Sequence, residues 1–151
     1  MARFRYSLQS ILNIKLKMET LAKQEFAAAK NALDREEERL RKLKVRKTYY
    51  EEQAGSLLSG KLNIRDIEDN NEAILRMDEY IEEQIVRVEK AEAALDAARE
   101  KLTEVMKERK THESLREKAF ESFLQEENRQ ESKAVDELTS YTYGQKQQVS
   151  E

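Results

Sequence analysis

The sequence predicts an all-α fold, a two-helix antiparallel coiled-coil hairpin with a C-terminal helical overhang, and three observations carry that prediction. Proline is absent and the only glycines are Gly55, Gly60 and Gly144. Two long stretches therefore carry neither the ~1 kcal/mol penalty of a glycine nor the ~3 kcal/mol penalty of a proline in a helix interior. Charged residues make up 39% of the 151 positions and hydrophobic ones 38%, with 7% aromatics and no tryptophan, a balance too polar for a broad core and usual in coiled coils. Apolar residues also recur at alternating spacings of four and three on both sides of the glycine cluster, the pattern of a seam between two helices.

The first helix is expected over about residues 4–56. Its ladder runs Leu8, Leu12, Lys15, Glu19, Ala22, Phe26, Ala29, Leu33, Glu36, Leu40, Leu43, Lys47, Tyr50, Ala54 and Leu57, with eleven of fifteen positions apolar. That proportion over so many turns marks a continuous seam, weakest at Lys15 and Glu19. The turn is expected at about 57–63, where Ser56, Ser59, Gly60 and Asn63 gather. Asn63 with Asp66 three residues later makes a polar capping pair that opens a second helix at about 64. Its ladder is Ile67, Asn70, Ile74, Met77, Ile81, Gln84, Val88, Ala91, Leu95, Ala98, Leu102 and Val105, apolar at ten of twelve positions. The helix is expected to end near 143, capped by Gly144, with 144–151 a disordered tail.

Complementarity across the turn favours pairing within one chain. If partner positions sum to about 122–124, the alanine-rich segment 26–33 lies opposite 91–98, so that small residues face small ones and the backbones approach closely. The same register sets the basic run 39–47 opposite Asp78, Glu79, Glu82 and Glu83. It also leaves residues from about 121 to 143 without an intramolecular partner, and 125–133 without any apolar residue. Beyond that gap Ala134, Val135, Leu138 and Tyr141 return to one helical face. The charge is uneven: residues 1–23 carry five basic residues and one acidic, whereas 121–151 carry seven acidic and three basic.

Chemistry is conspicuous by its missing parts. His112 is the single histidine and cysteine is absent, so no thiolate site, disulfide or nucleophilic triad is indicated. Glu-x-x-His pairs of a di-iron bundle, a P-loop and the spacing of a calcium loop are all wanting. No catalytic, cofactor-binding or metal-ligating residue is therefore expected, and no enzyme. A formal net charge of −3 argues against general nucleic-acid binding. The N-terminus lacks a secretory apolar stretch and no run approaches the roughly 20 apolar residues of a membrane span, so a cytoplasmic chain without membrane insertion is expected.

The residues also resemble a known family. The opening Phe4, Tyr6, Leu8, Ile11 and Leu12 resembles the aromatic-x-aromatic-x-Leu-x-x-aliphatic-Leu start of the flagellar FliJ protein. Lys107 to Lys110, Leu115 to Lys118, and Glu126-Glu127 leading to Glu131-Ser132-Lys133-Ala134-Val135-Asp136-Glu137 resemble its charged C-terminal signature. The resemblance implies a non-enzymatic coiled-coil stalk of the flagellar type III export apparatus, peripheral at the cytoplasmic face of the membrane at the basal body. Implied partners are the hexameric export ATPase FliI, the export gate protein FlhA and export chaperones, with no cofactor. A paired length of about 55 residues would span roughly 80 Å at 1.5 Å per residue, enough to bridge a ring and a gate. A generic coiled-coil tether or holdase chaperone is the competing interpretation.

Two sets of residues are candidates for partner contact. At the open end Phe4, Tyr6, Leu8, Ile11 and Leu12 meet Phe120, Phe123 and Leu124. Taken alone these are consistent with local packing or with docking, and the resemblance assigns them to the ATPase ring. It also carries a gate-binding stripe onto Ala73, Met77, Tyr80 and Gln84, whose spacings of 4, 3 and 4 form one longitudinal band. By the ladder Met77 and Gln84 fall in the seam and Ala73 and Tyr80 beside it, so that Tyr80 is either the exposed aromatic anchor of this stripe or a cover over the seam against which Met77 packs.

Overall fold

In the computed structural model, which describes residues 2–149, the chain is a helical hairpin of α1 (Gln9–Leu57) and α2 (Ile64–Val149). It divides into two compact units to which both helices contribute: Met1–Glu19 with Val105–Glu151, and Thr20–Glu104.

The helix ends follow from local hydrogen bonding. The Asn63 side-chain oxygen accepts from the backbone N–H groups of Arg65 (3.1 Å) and Asp66 (3.4 Å), and its carbonyl accepts from Ile67 at 3.1 Å, so Asn63 is the N-cap of α2. In the turn, Gly60 has a φ of 83°, in the left-handed region that glycine enters without steric cost. Ser59 donates its N–H (3.2 Å) and hydroxyl (2.8 Å) to the Ser56 carbonyl, closing the last turn of α1.

Two ends differ from expectation. α1 begins at Gln9 instead of about residue 4. The Tyr6 carbonyl accepts from Gln9 N–H and the Leu8 carbonyl from Ile11 and Leu12, all at 3.1 Å, so the preceding residues form an arm held by ring contacts and not by a helical ladder. α2 does not stop at 143, nor do 144–149 form an irregular tail: the helix runs through Gly144 to Val149. Among the described residues only Gly60 has a positive φ, so Gly144 is not an αL cap, and its ~1 kcal/mol penalty is too small to break a run with no proline. Ser150 and Glu151 of the expected tail lie outside the described residues.

In the Thr20–Glu104 unit the core is a single line of side chains, with Ala22, Met77 and Val88 buried. Every ladder position from Phe26 to Leu57 and from Ile67 to Leu102 is buried or half-buried. Polar seam residues are satisfied across the interface: the Gln84 side-chain amide donates to the Glu36 carbonyl at 2.9 Å and to its carboxylate, and the Asn70 amide donates to the Tyr50 carbonyl at 3.0 Å. Lys47 reaches Asp78 at 2.6 Å, and that hydrogen bond raises the lysine pKa above its ordinary value. The remaining arginine pairs of the basic run stay within α1, Arg39 with Glu36 and Arg41 with Glu38. Lys101 meets Glu25 at 2.9 Å, and Arg99 sits 6.0 Å from the Phe26 ring centre.

The other unit buries Leu12 and Val105 beside an ionic cluster. Glu19 is 6% exposed and accepts from Arg109 Nε at 2.6 Å, while Arg109 Nη1 reaches Glu113 at 2.7 Å. Lys15 pairs with Glu108 at 2.9 Å. The seam positions that break the apolar ladder are thus filled by charges with partners. The hydrogen bonds that Arg109 donates to Glu19 and then to Glu113 raise its pKa above the ordinary value, so the guanidinium is charged at every accessible pH. Replacing Glu19 by leucine alone leaves Arg109 without its buried partner and is expected to lower the melting temperature by several degrees. The double change Glu19→Leu with Arg109→Leu should recover most of that loss, because an apolar pair in a seam position is at least as good as an ion pair. Thermal melts of both variants check this; additive losses would show that the two side chains are not coupled.

Candidate functional site

Partner surfaces on a hairpin must come from what the seam leaves outside, and the two expected clusters differ in this respect. At the open end the arm folds Phe4 against Phe120 (ring centres 5.1 Å apart, edge-on) and Phe123 (5.4 Å). Arg116 stacks over the Phe4 ring at 5.6 Å and donates to the Gln9 side-chain oxygen at 3.0 Å. Aromatic and cation–π contacts of this geometry anchor the arm. Phe4, Tyr6 and Phe123 are half-buried by it and Leu12 is buried in the seam. Leu8, Ile11, Phe120 and Leu124 remain 39–44% exposed. The structure thus joins Phe4 to Phe120 and Phe123 near the start of α1, and of the eight residues half are packed and half presented to solvent. The Tyr6 hydroxyl is enclosed without a hydrogen-bond partner.

On the second unit Met77 and Gln84 lie in the seam, 7% and 5% exposed, and Ala73 is half-buried, whereas Tyr80 is 48% exposed. The four residues form a band on α2, but only Tyr80 offers a large side chain to a partner. Beside the band is an open groove of about 700 Å³ lined by Arg39, Lys42, Leu43, Val45, Arg46 and Tyr49, with Gln84 at its edge. Val45 and Tyr49 are 57% and 55% exposed, and Tyr49 is braced edge-on against Tyr50 at 5.6 Å. Lys42 and Arg46 make no ion pair among the described residues.

The ladder could not find this groove, because Val45 and Tyr49 stand outside the four-three positions. The available signal was a second spacing of four, Val45 to Tyr49, flanked by cations at Lys42 and Arg46. Among the described residues no group of three or more His, Cys, Asp or Glu could hold a metal ion. No helix among them is long and apolar enough to cross a membrane.

A family model described as flagellar FliJ protein matches residues 4–148. A solved structure described as a YscO homologue from Chlamydia trachomatis is similar in fold, with a TM-score of 0.67 and 24% identity, covering 97% of this chain and 99% of that one. No curated protein sequence matches the chain.

Proposed function

The chain belongs to the flagellar FliJ protein family, a non-enzymatic component of the type III export apparatus, and on that basis we propose that it is the coiled-coil stalk that docks in the hexameric export ATPase and links it to the export gate. In this role it works at the cytoplasmic face of the membrane and assists in recycling export chaperones. The observation that carries the proposal is an antiparallel hairpin whose open end presents Leu8, Ile11, Phe120 and Leu124 to solvent around a packed aromatic arm. A ring lined with apolar side chains would take these residues, while Leu12, Phe4 and Phe123 hold them in place. Tyr6 completes the arm.

The gate contact is proposed on the second unit. Tyr80 is its anchor, Ala73 its neighbour, and Met77 and Gln84 fix the band from within the seam. Gln84 also joins the band to the groove of Val45 and Tyr49, so the surface extends onto α1. Truncating an aromatic anchor at an interface commonly costs about 2 kcal/mol, some thirtyfold in affinity. Tyr80→Ala and Tyr49→Ala are each expected to weaken binding to the cognate export gate protein by that order, with a melting temperature close to that of the parent. Unchanged gate affinity together with a clear drop in thermal stability would assign both tyrosines to the fold.

A further inference from the structure

We propose that two copies of the chain associate by reciprocal exchange, the helical overhang of each lying along an outer stripe of α1 in the other. The stripe consists of Ile11, Ile14 and Met18, exposed by 39%, 55% and 38%. At 100° per residue these three fall within about 60° of one another, beside the seam occupied by Leu12, Lys15 and Glu19. The seam therefore leaves a second apolar line uncovered on the same stretch of helix.

The overhang has the matching feature. Every residue from 128 to 148 is exposed, which is unusual for a helix carrying Val135 and Leu138 at 59% and 65% exposure. With Thr139, Thr142, Tyr143 and Lys146 these two line a shallow groove of about 350 Å³. Val135, Leu138 and Thr142 repeat the spacing of Ile11, Ile14 and Met18, three residues and then four, at a constant offset. Within one chain α2 reaches the open end antiparallel to α1 and continues outward. When two copies face each other by their open ends across a two-fold axis, the overhang of one consequently runs parallel to α1 of the other. Position 135 then meets 11, 138 meets 14 and 142 meets 18.

Charge selects the same occupant. Arg3, Arg5 and Lys17 belong to the basic segment that carries the α1 stripe, and Glu131, Asp136 and Glu137 to the acidic segment that carries the overhang stripe. None of the six makes an ion pair among the described residues. An acidic amphipathic helix suits the basic stripe, and the chain carries one with the right spacing. Two-fold symmetry uses each contact twice, so a short stripe gives a reversible dimer. Dimerisation of the isolated chain does not depend on docking in a ring.

The native sequence has no cysteine, so single replacements report position without background. Sedimentation equilibrium of the full chain should show a reversible rise in mass from 17.8 kDa towards twice that value. Mixing Ile14→Cys and Leu138→Cys proteins under mild oxidation should give a disulfide-linked mixed dimer, and neither protein alone should do so efficiently. Leu138→Glu should raise the dimer dissociation constant at least about tenfold with unchanged helicity, since Leu138 lies outside the intramolecular seam. A chain that stays monomeric to the highest concentrations overturns the proposal. So does a dimer that links 14 to 14, or one that Leu138→Glu leaves intact.

Discussion

Replacing Leu12 with alanine is expected to destabilise the open end of the hairpin by about 2–3 kcal/mol, at the lower part of the range for Leu→Ala because a thin seam collapses more readily than a deep core. Leu12 is 3% exposed, and among the described residues of its unit the other buried apolar side chain is Val105. Around it the seam is ionic, through Lys15 with Glu108 and Glu19 with Arg109, so little other apolar burial supports the contact. Removing three carbons there takes away a large share of what orders α1 from Gln9 to Glu19. Local opening should follow, with faster amide hydrogen exchange over the first three turns of α1 and unchanged exchange in the Thr20–Glu104 unit, where Ala22, Met77 and Val88 are buried. Leu8→Ala is the control: at 41% exposure its loss should stay within about 0.5 kcal/mol. Equal effects at the two positions would mean that the ladder does not distinguish seam from surface.

That contrast also separates two ways of losing partner binding. Leu12 acts on a docked ring through the fold, and Leu8 or Ile11 by contact. A defect at Leu12 should be repaired by conditions that stabilise the helix, and a defect at Ile11 should not.

The fold was legible because a coiled coil writes its interior in one dimension. Beyond Leu8, each position of the four-three ladders from Leu12 to Leu57 and from Ile67 to Val105 is buried or half-buried. Leu8 escapes because α1 starts at Gln9, and residues before a helix do not follow its period. The register was also legible: Phe4 with Phe120 and Lys15 with Glu108 have position sums inside or at the edge of the expected window. Long side chains blur it, so that Lys47 meets Asp78 about half a turn from the ideal partner and Glu19 meets Arg109 a full turn or more from it. A ladder reports which face is inside, however, and says nothing about pairs on its flanks. For that reason Arg39 and Arg41 found Glu36 and Glu38 within α1 when the charge run alone pointed across the hairpin.

Surfaces were less legible for the same physical reason. The outer stripe of Ile11, Ile14 and Met18 and the groove beside Val45 and Tyr49 lie where no intramolecular contact imposes a period. Their exposure becomes meaningful only once the seam is known. The end of α2 was missed at Gly144 because a single glycine is a weak stop. It needs a left-handed φ or a following proline to end a helix, and neither is present.

The proposed stalk function is tested most directly by deleting residues 121–143 and measuring stimulation of the cognate export ATPase. This deletion removes Phe123, Leu124 and the exposed overhang, and leaves the seam from Leu12 to Val105 and the Phe4 contact with Phe120. Helicity by circular dichroism should fall only in proportion to the residues removed, since the overhang is not packed against α1. The stalk account predicts that the shortened protein no longer stimulates the ATPase while it keeps its fold. Full stimulation by the folded, shortened protein would contradict docking through the open end.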